Sequence, residues 1–301
     1  MATGIDIGRS GVKIVHAGKQ LPILPAVACP AFPIDDPDEA ARASADTVTL
    51  VNGARWFTGD TAVVQGDTTP GVFAEWDQTD EYEALVAASI AKVSADPALP
   101  LRIVAGVPSE AGQSVKEHVH ALFMRHAPAG SRIKIVAQPA GALFAAAADN
   151  RHLLESTVVV VDVGRYSTDL AVAKNGRAVQ GAYKSIPGVR LAVDALATAV
   201  RPLVSGTPTF ERLEDALRTG TLRHAMAAFD IAEQVTAAKE RLDAEVSRAL
   251  SAMSASLRGQ LDGVVLAGGG ADFITLDVPT AQAPHGRYAV ASGFALMAAG
   301  L

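Results

Sequence analysis

One cysteine, Cys29, is all the chain contains. No internal disulfide can form, so a reducing cytoplasm is the expected setting. A lone thiol of this kind reads as a small apolar filler. A basic excess is also missing. The formal charge is −6, which argues against a broad electrostatic grip on nucleic acid, although a local DNA contact needs no such excess. No run approaches the ~20 apolar residues of a membrane helix. Ala142–Ala148 and the closing AVASGFALMAAG read instead as buried helices. The opening MATGIDIG has no basic region followed by a long apolar core, so no secretory signal is read there. The pattern G-x-x-x-x-G-K-[ST] is absent too, which removes the P-loop as a route to phosphate. A soluble intracellular protein is the expectation.

What is present is a foldable mixture. Hydrophobic residues make up 49% and charged residues 19% of 301 positions, enough for one large or two ordinary domains. Strand-like pieces occur at Thr3–Ile7, Val12–Ala17, Val48–Val51, Arg55–Thr58, Ile103–Gly106, Lys134–Ala137, Val158–Asp162, Leu170–Lys174, Ala178–Ala182 and Gly263–Ala267. VVVV and VVLA are continuous apolar runs, as expected of strands buried on both faces. Helical periodicity fits Asp80–Val93, Ser114–Arg125, Ala140–Asn150, Arg190–Val200 and Phe210–Thr219, and the longest candidate runs from about His224 to Leu257. The alternation predicts an α/β class with a mixed sheet. Two segments interrupt it. Pro22–Ala45, with five prolines and the acidic cluster Asp35, Asp36, Asp38 and Glu39, reads as an irregular, solvated excursion. It leads to the hairpin VTLVNGARWFTG, turned by Asn52-Gly53. The second is the polar, helix-rich stretch Pro202–Leu257.

Each interruption follows one copy of the same pattern. GIDIGRSGVKIV, Gly4–Val15, and VVVVDVGRYSTDLAV, Val158–Val172, both run a buried strand into Asp, a Gly-Arg turn and a second strand. An Asp near the end of a strand projects a carboxylate, while successive N–H groups in the turn make a concavity for an anion. Gly8 and Gly164 let the backbone turn tightly; Ser10, Ser167 and Thr168 add hydroxyls, and Lys13 offers a point charge to phosphate. Asp6 and Asp162 would hold Mg²⁺ through water, because that ion dehydrates reluctantly. One such turn alone would be an ordinary hairpin; two on one half-chain plan favour phosphate. A third cluster, VVLAGGGADF, puts Gly268, Gly269 and Gly270 after a buried strand, where bare backbone suits a nucleoside.

These three elements, in this order, resemble the phosphate 1, phosphate 2 and adenosine motifs of the actin-like ATPase superfamily, which includes sugar kinases and heat-shock chaperones. AQPAGALFAAA, Ala137–Ala147, and YAVASGFALMAAG, Tyr288–Gly300, are similar to its two connecting helices. Within it, VNGARWFTGDTAV and IVAGVPSEAG resemble segments of the bacterial plasmid-segregation actins, the ParM/StbA group. The resemblance implies the actin-like fold: two similar α/β domains with mixed five-stranded sheets facing across a nucleotide cleft, each with a small inserted subdomain. Its boundaries would be 1–149 plus 286–301 for domain I (small subdomain about 20–72) and 150–285 for domain II (small subdomain about 202–257).

Carried over by position, Asp6 and Asp162 would coordinate Mg²⁺ and its waters. Gly8, Arg9, Ser10, Gly11, Lys13, Gly164, Arg165, Tyr166, Ser167 and Thr168 would surround the phosphates, and Gly268, Gly269 and Gly270 the nucleoside. Gln138 opens the first connecting helix, where the family places the residue that positions attacking water. Lys239 and Glu240 would meet the adenine and ribose, the competing reading being a solvated helix face. Arg9 and Arg165 depart from the family pattern. Each either adds charge at a phosphate, or swings to solvent or pairs with an acid.

The function implied is a Mg²⁺-dependent ATPase that forms filaments and drives plasmid segregation, with ATP or GTP as its nucleotide. Its partners would be further copies of itself and a DNA-binding adaptor at a centromere-like site, with neither direct nucleic-acid nor membrane contact. The alternatives are a sugar-type kinase of the same superfamily, or an actin-like cytoskeletal scaffold. A kinase needs an acidic base at a sugar-sized pocket, and none is evident beyond Asp6 and Asp162. The lone cysteine also excludes the zinc segment of one short sugar-kinase group.

Overall fold

The computed structural model describes residues 1–66, 75–94, 96 and 98–301; residues 67–72, the end of the expected first small subdomain, lie outside these. The chain divides into two units. Unit 1 comprises Met1–His152 with Ala283–Leu301, and unit 2 is Leu153–Gln282.

Unit 1 opens with β1 (Ala2–Gly8), β2 (Gly11–His16) and β3 (Lys19–Gln20). A small layer follows: β4 (Cys29–Pro30), α1 (Pro37–Ala45), β5 (Thr47–Thr49), β6 (Arg55–Phe57) and α2 (Gly59–Gln65). The main layer resumes with α3 (Asp80–Val93), β7 (Arg102–Val107), α4 (Gln113–His126), β8 (Arg132–Ala137) and α5 (Gln138–Asp149), and the C-terminal helix Ala289–Ala299 completes it. The sheet order is β3-β2-β1-β7-β8. β1 lies at the centre, antiparallel to β2 and parallel to β7, which is parallel to β8. The five residues Thr3–Ile7 are all buried, because β1 is covered on both faces.

The small layer is more regular than its prolines suggest. Asp36 accepts a hydrogen bond from the Glu39 N–H at 2.9 Å and so caps α1, with Pro37 in the first turn. Asp38 and Glu39 lie in that same turn, against the positive end of the helix dipole. The acidic cluster read as a solvated loop is therefore largely a helix start. Cys29 packs with Val27, Ala43, Phe57 and Ala62 in the core of this layer, and burial raises its thiol pKa.

Unit 2 repeats the plan with β9 (Thr157–Val163), β10 (Ser167–Lys174) and β11 (Arg177–Pro187). Then come α6 (Arg190–Val200), α7 (Phe210–Thr219), the hairpin β12 (Thr221–His224) and β13 (Ala227–Asp230), α8 (Ala232–Ser256), β14 (Gly263–Ala267) and β15 (Thr280–Gln282). Its sheet, β11-β10-β9-β14-β15, has the same order and the same sense of every pairing as the first. Val158, Val159, Val160 and Val161 are each at most 2% exposed. At about 1.5–3 kcal/mol per buried side chain, that run alone contributes strongly to the unit's hydrophobic driving force. The expected helix from His224 begins instead at Ala232, because His224 ends one strand of a hairpin and Ala227–Asp230 forms the other.

The structure also carries a pH-dependent element. His16 pairs with Thr3 across β1 and β2, its Nδ1 2.8 Å from the buried Thr3 hydroxyl. Burial, and then the nearby chain amino terminus, hold its pKa below the ordinary 6.5. The unfolded chain therefore binds the proton more readily. This contribution to stability is complete above about pH 6.5 and is lost as pH falls through the window below it. We expect the loss of melting temperature between pH 7 and 5 to be shallower in His16→Gln than in the native chain; parallel melting curves for the two proteins would refute the assignment.

Candidate functional site

In each unit the parallel strands end on one edge, where α/β sheets characteristically place their ligands. In unit 1 that edge holds Asp6, Gly8 and Gln138. β8 runs straight into α5, so Gln138 is the first helical residue after the strand, fixed by Pro139 behind it. Its Nε2 donates to Asp6 Oδ1 at 2.9 Å. Lys13 stands directly opposite Asp6 in the β1–β2 register, and its Nζ lies 3.3 Å from Asp6 Oδ2. Asp6 and Lys13 are only 6% and 8% exposed. Breaking such a buried pair by removing one partner costs about 3–5 kcal/mol, so the two charges hold one another in place. Arg9 and Ser10 form the tip of this hairpin between the paired Gly8 and Gly11.

In unit 2 the corresponding loop is Gly164–Tyr166, between β9 and β10. Three backbone carbonyls in it are claimed by the start of α6. The Gly188 N–H donates to Tyr166 O at 3.0 Å, Val189 N–H to Gly164 O at 3.0 Å, and Arg190 N–H to Arg165 O at 2.8 Å. In a trans peptide the C=O and the following N–H point in opposite directions. The N–H groups of Arg165, Tyr166 and Ser167 therefore point away from these bonds, and successive N–H groups in such a turn can serve as a nest for an anion. Thr168 is fully buried, and its hydroxyl has no hydrogen-bond partner among the described residues. Ser167 Oγ donates to Asp169 Oδ2 at 3.1 Å.

Asp169 was not singled out in the sequence. In the β9–β10 register it stands directly opposite Asp162, just as Lys13 stands opposite Asp6. The two sites differ in charge for that reason: unit 1 offers a carboxylate with a cation, unit 2 two carboxylates. Opposed like charges repel, and a cation between them relieves the repulsion. The signal was available, since the second motif continues T-D-L where the first has V-K-I, but it required the register to be known.

The glycine cluster after β14 has an internal role. Gly268 has φ +89°, and a Cβ there would overlap Asp162 Oδ1 and come within 2.5 Å of Val163 O. A side chain at Gly270 would strike Val163 and Val189. These glycines let the β14 turn pack against the Asp162 strand, and Gly269 O accepts from Arg218 at 3.1 Å. Lys239 Nζ lies 5.3 Å above the Phe273 ring and Arg218 lies 4.6 Å from it, so this buried ring carries two cations. Glu240, by contrast, is exposed on α8. Arg165 turns to an acid, with NH2 2.6 Å from Glu214 Oε2 and its guanidinium 4.9 Å from the Phe210 ring. Of the residues expected around phosphate, its side chain is directed to α7 and its backbone to the nest.

No three His, Cys, Asp or Glu side chains among the described residues cluster as a metal cage. Among them, too, no helix is long and apolar enough to cross a membrane.

Comparison with known proteins agrees with this geometry. Residues 4–141 match the family model for the N-terminal domain of actin like proteins. Among curated proteins none matches the chain. Solved structures are similar over nearly the whole length. The ParM of a 15-stranded filament from Clostridium botulinum superposes with TM-score 0.75 at 18% identity, over 99% of both chains. An archaeal actin homolog gives 0.76 at 16%, over 100% of both, and its ADP complex 0.71 at 17% over the same extent. Bacillus thuringiensis ParM with AMPPNP gives 0.70 at 12%, over 99% of this chain and 98% of the other. The resemblance carried by the motifs is borne out: the chain has the actin-like fold, and residues 4–141 match the N-terminal domain of the actin like proteins.

Proposed function

We propose that this chain is an actin-like nucleoside triphosphatase that assembles into filaments, with ATP as substrate, Mg²⁺ as cofactor and plasmid segregation in the cytoplasm as its task. The observation that carries the catalytic part is the duplicated hairpin. Twice, the central strand of a sheet brings an aspartate to the edge where the parallel strands end, beside a turn suited to phosphate. Relatives with ADP and AMPPNP bound, and a ParM relative that is a filament, support the nucleotide and the assembly.

The residues fit the roles. The unit 2 nest takes phosphate oxygens on its N–H groups, and Lys13 adds a charge in unit 1 when it turns from Asp6 to phosphate. Mg²⁺ would neutralise phosphate charge, and in unit 2 Asp162 and Asp169 would hold it through its water shell; the corresponding carboxylate of unit 1, Asp6, is paired with Lys13. Gln138 cannot act as a base. Its amide, oriented by Asp6, positions a water for in-line attack, and the loops stabilise developing charge. Energy from hydrolysis would then control the lifetime of a polymer bound to its DNA cargo through an adaptor protein.

The test is direct. Purified protein with Mg²⁺ and ATP, or a slowly hydrolysed analogue, is followed by light scattering and pelleting, and the pellet is imaged. Nucleotide-dependent filaments are expected. Phosphate transfer to an added sugar, without any polymer over a wide protein range, would replace this reading with the kinase one.

A further inference from the structure

The structure assigns Arg165 a task in the nucleotide site just proposed, on which this inference rests: it is a positioning residue that ties the second phosphate loop to α7, so that phosphate in the loop is felt by that helix. Arg165 meets Glu214 at 2.6 Å with the two side chains only 21% and 19% exposed. Glu211, 3.8 Å away, and the ring of Phe210 complete its surroundings. A planar guanidinium with a carboxylate on its fork and a ring near its face is committed to that geometry in a way a surface pair is not. Glu214 in turn lies 3.8 Å from Arg218, whose guanidinium rests near Phe273 and donates to Gly269 O.

Phe210, Glu214 and Arg218 recur every four residues and so share one face of α7. That face reaches the loop at 164–167 through Arg165 and the glycine turn at 268–270 through Arg218, two segments about a hundred residues apart in the chain. The adjoining side of α7 is anchored in the core: Leu213, Ala216 and Leu217 are buried in the same cluster as Leu222 of β12, and Phe210 packs against it. A change in the order of the phosphate loop is thus passed along a chain of charged and aromatic contacts to a helix that is packed on the hairpin. The loop's carbonyls are fixed by α6, and Arg165 adds a side-chain connection from this loop to α7.

The experiment is hydrogen–deuterium exchange with mass spectrometry on the full chain, with and without ADP–Mg²⁺, alongside calorimetric nucleotide affinities. In the native chain, nucleotide should slow exchange across 210–219 by about fivefold or more. Arg165→Gln and Glu214→Gln should each abolish that response while lowering affinity by the same small factor, and the double variant should be no worse than either. Exchanging the charges, Arg165→Glu with Glu214→Arg, should restore part of the response. A different pattern overturns the assignment: a large loss of affinity in Arg165→Gln, with affinity kept or raised in Glu214→Gln, would make Arg165 a direct phosphate ligand. Nucleotide binding with no change at α7 in the native chain sinks this inference alone. No nucleotide binding at all sinks the nucleotide reading itself.

Discussion

Gly293→Val strongly destabilises unit 1. A Cβ at Gly293 would fall inside the carbonyl oxygen of Gly141 and within 2.6 Å of its carbonyl carbon. The crowding is mutual: a Cβ at Gly141 would lie 2.5 Å from Val290 O, and one at Gly4 would overlap Ala291 O. The C-terminal helix therefore packs backbone to backbone on α5 and β1, with Phe294 fully buried at the same contact. Backbone atoms cannot rotate away as a side-chain tip can, so relief requires the helices to separate. Separation would open cavities around Phe294 as well. Overpacking of a core typically costs about 1–3 kcal/mol; here the obstacle is backbone, and at least about 3 kcal/mol is expected from a total stability of roughly 5–15. Urea titration of Gly293→Val beside Gly300→Ala checks this, because a Cβ at Gly300 comes no nearer than 3.5 Å to any neighbour. Equal midpoints for the two variants would refute the packing argument.

The second large effect is chemical. If the proposed nucleotide role is right, Asp162→Ala lowers nucleotide turnover at least about a hundredfold, the scale seen when one preorganised charge-stabilising group is removed. It also leaves Asp169 without the carboxylate opposite it, which weakens any cation site there. Gln138→Ala serves as the contrast. It removes the group that orients water but spares Asp6, Lys13 and both loops, so turnover falls while nucleotide affinity changes only a few-fold. Phosphate release and calorimetry on both variants decide the matter. Undiminished turnover in Asp162→Ala would remove this aspartate from the site, and a large affinity loss in Gln138→Ala would make Gln138 a binding residue.

The fold was legible where residues speak locally. The apolar runs at Val158–Val161 and Gly263–Ala267 became buried strands, and the Asn52-Gly53 turn joins β5 and β6 as expected. Two misreadings have physical causes. D-D-P-D-E reads as a solvated loop when its charge outweighs its capping signature, although Asp36, Pro37 and Glu39 are what a helix start requires. HAMAAFD looked helical by composition, yet Ala225 and Met226 take φ of 47° and 64° to turn a hairpin. Neither residue favours that conformation, and the burial of Leu222 and Ile231 outweighs the local preference. At the candidate site, Asp6, Lys13 and Gln138 could be named from motif alone. Glu214 could not, because it lies 49 residues from Arg165 and only tertiary packing joins them. Asp169 fell between these cases: it was visible in the motif, but its place opposite Asp162 depends on strand register.

The division of the chain has a consequence for its synthesis. Unit 2 is one continuous segment, whereas unit 1 takes its last helix from the far end of the sequence. A ribosome releases the second unit's complete segment before it releases the helix that buries Phe294 against Gly106 and Gly141. The part made first is thus finished last, and until then β1, β7 and α5 present an uncovered apolar surface of the kind that recruits chaperones.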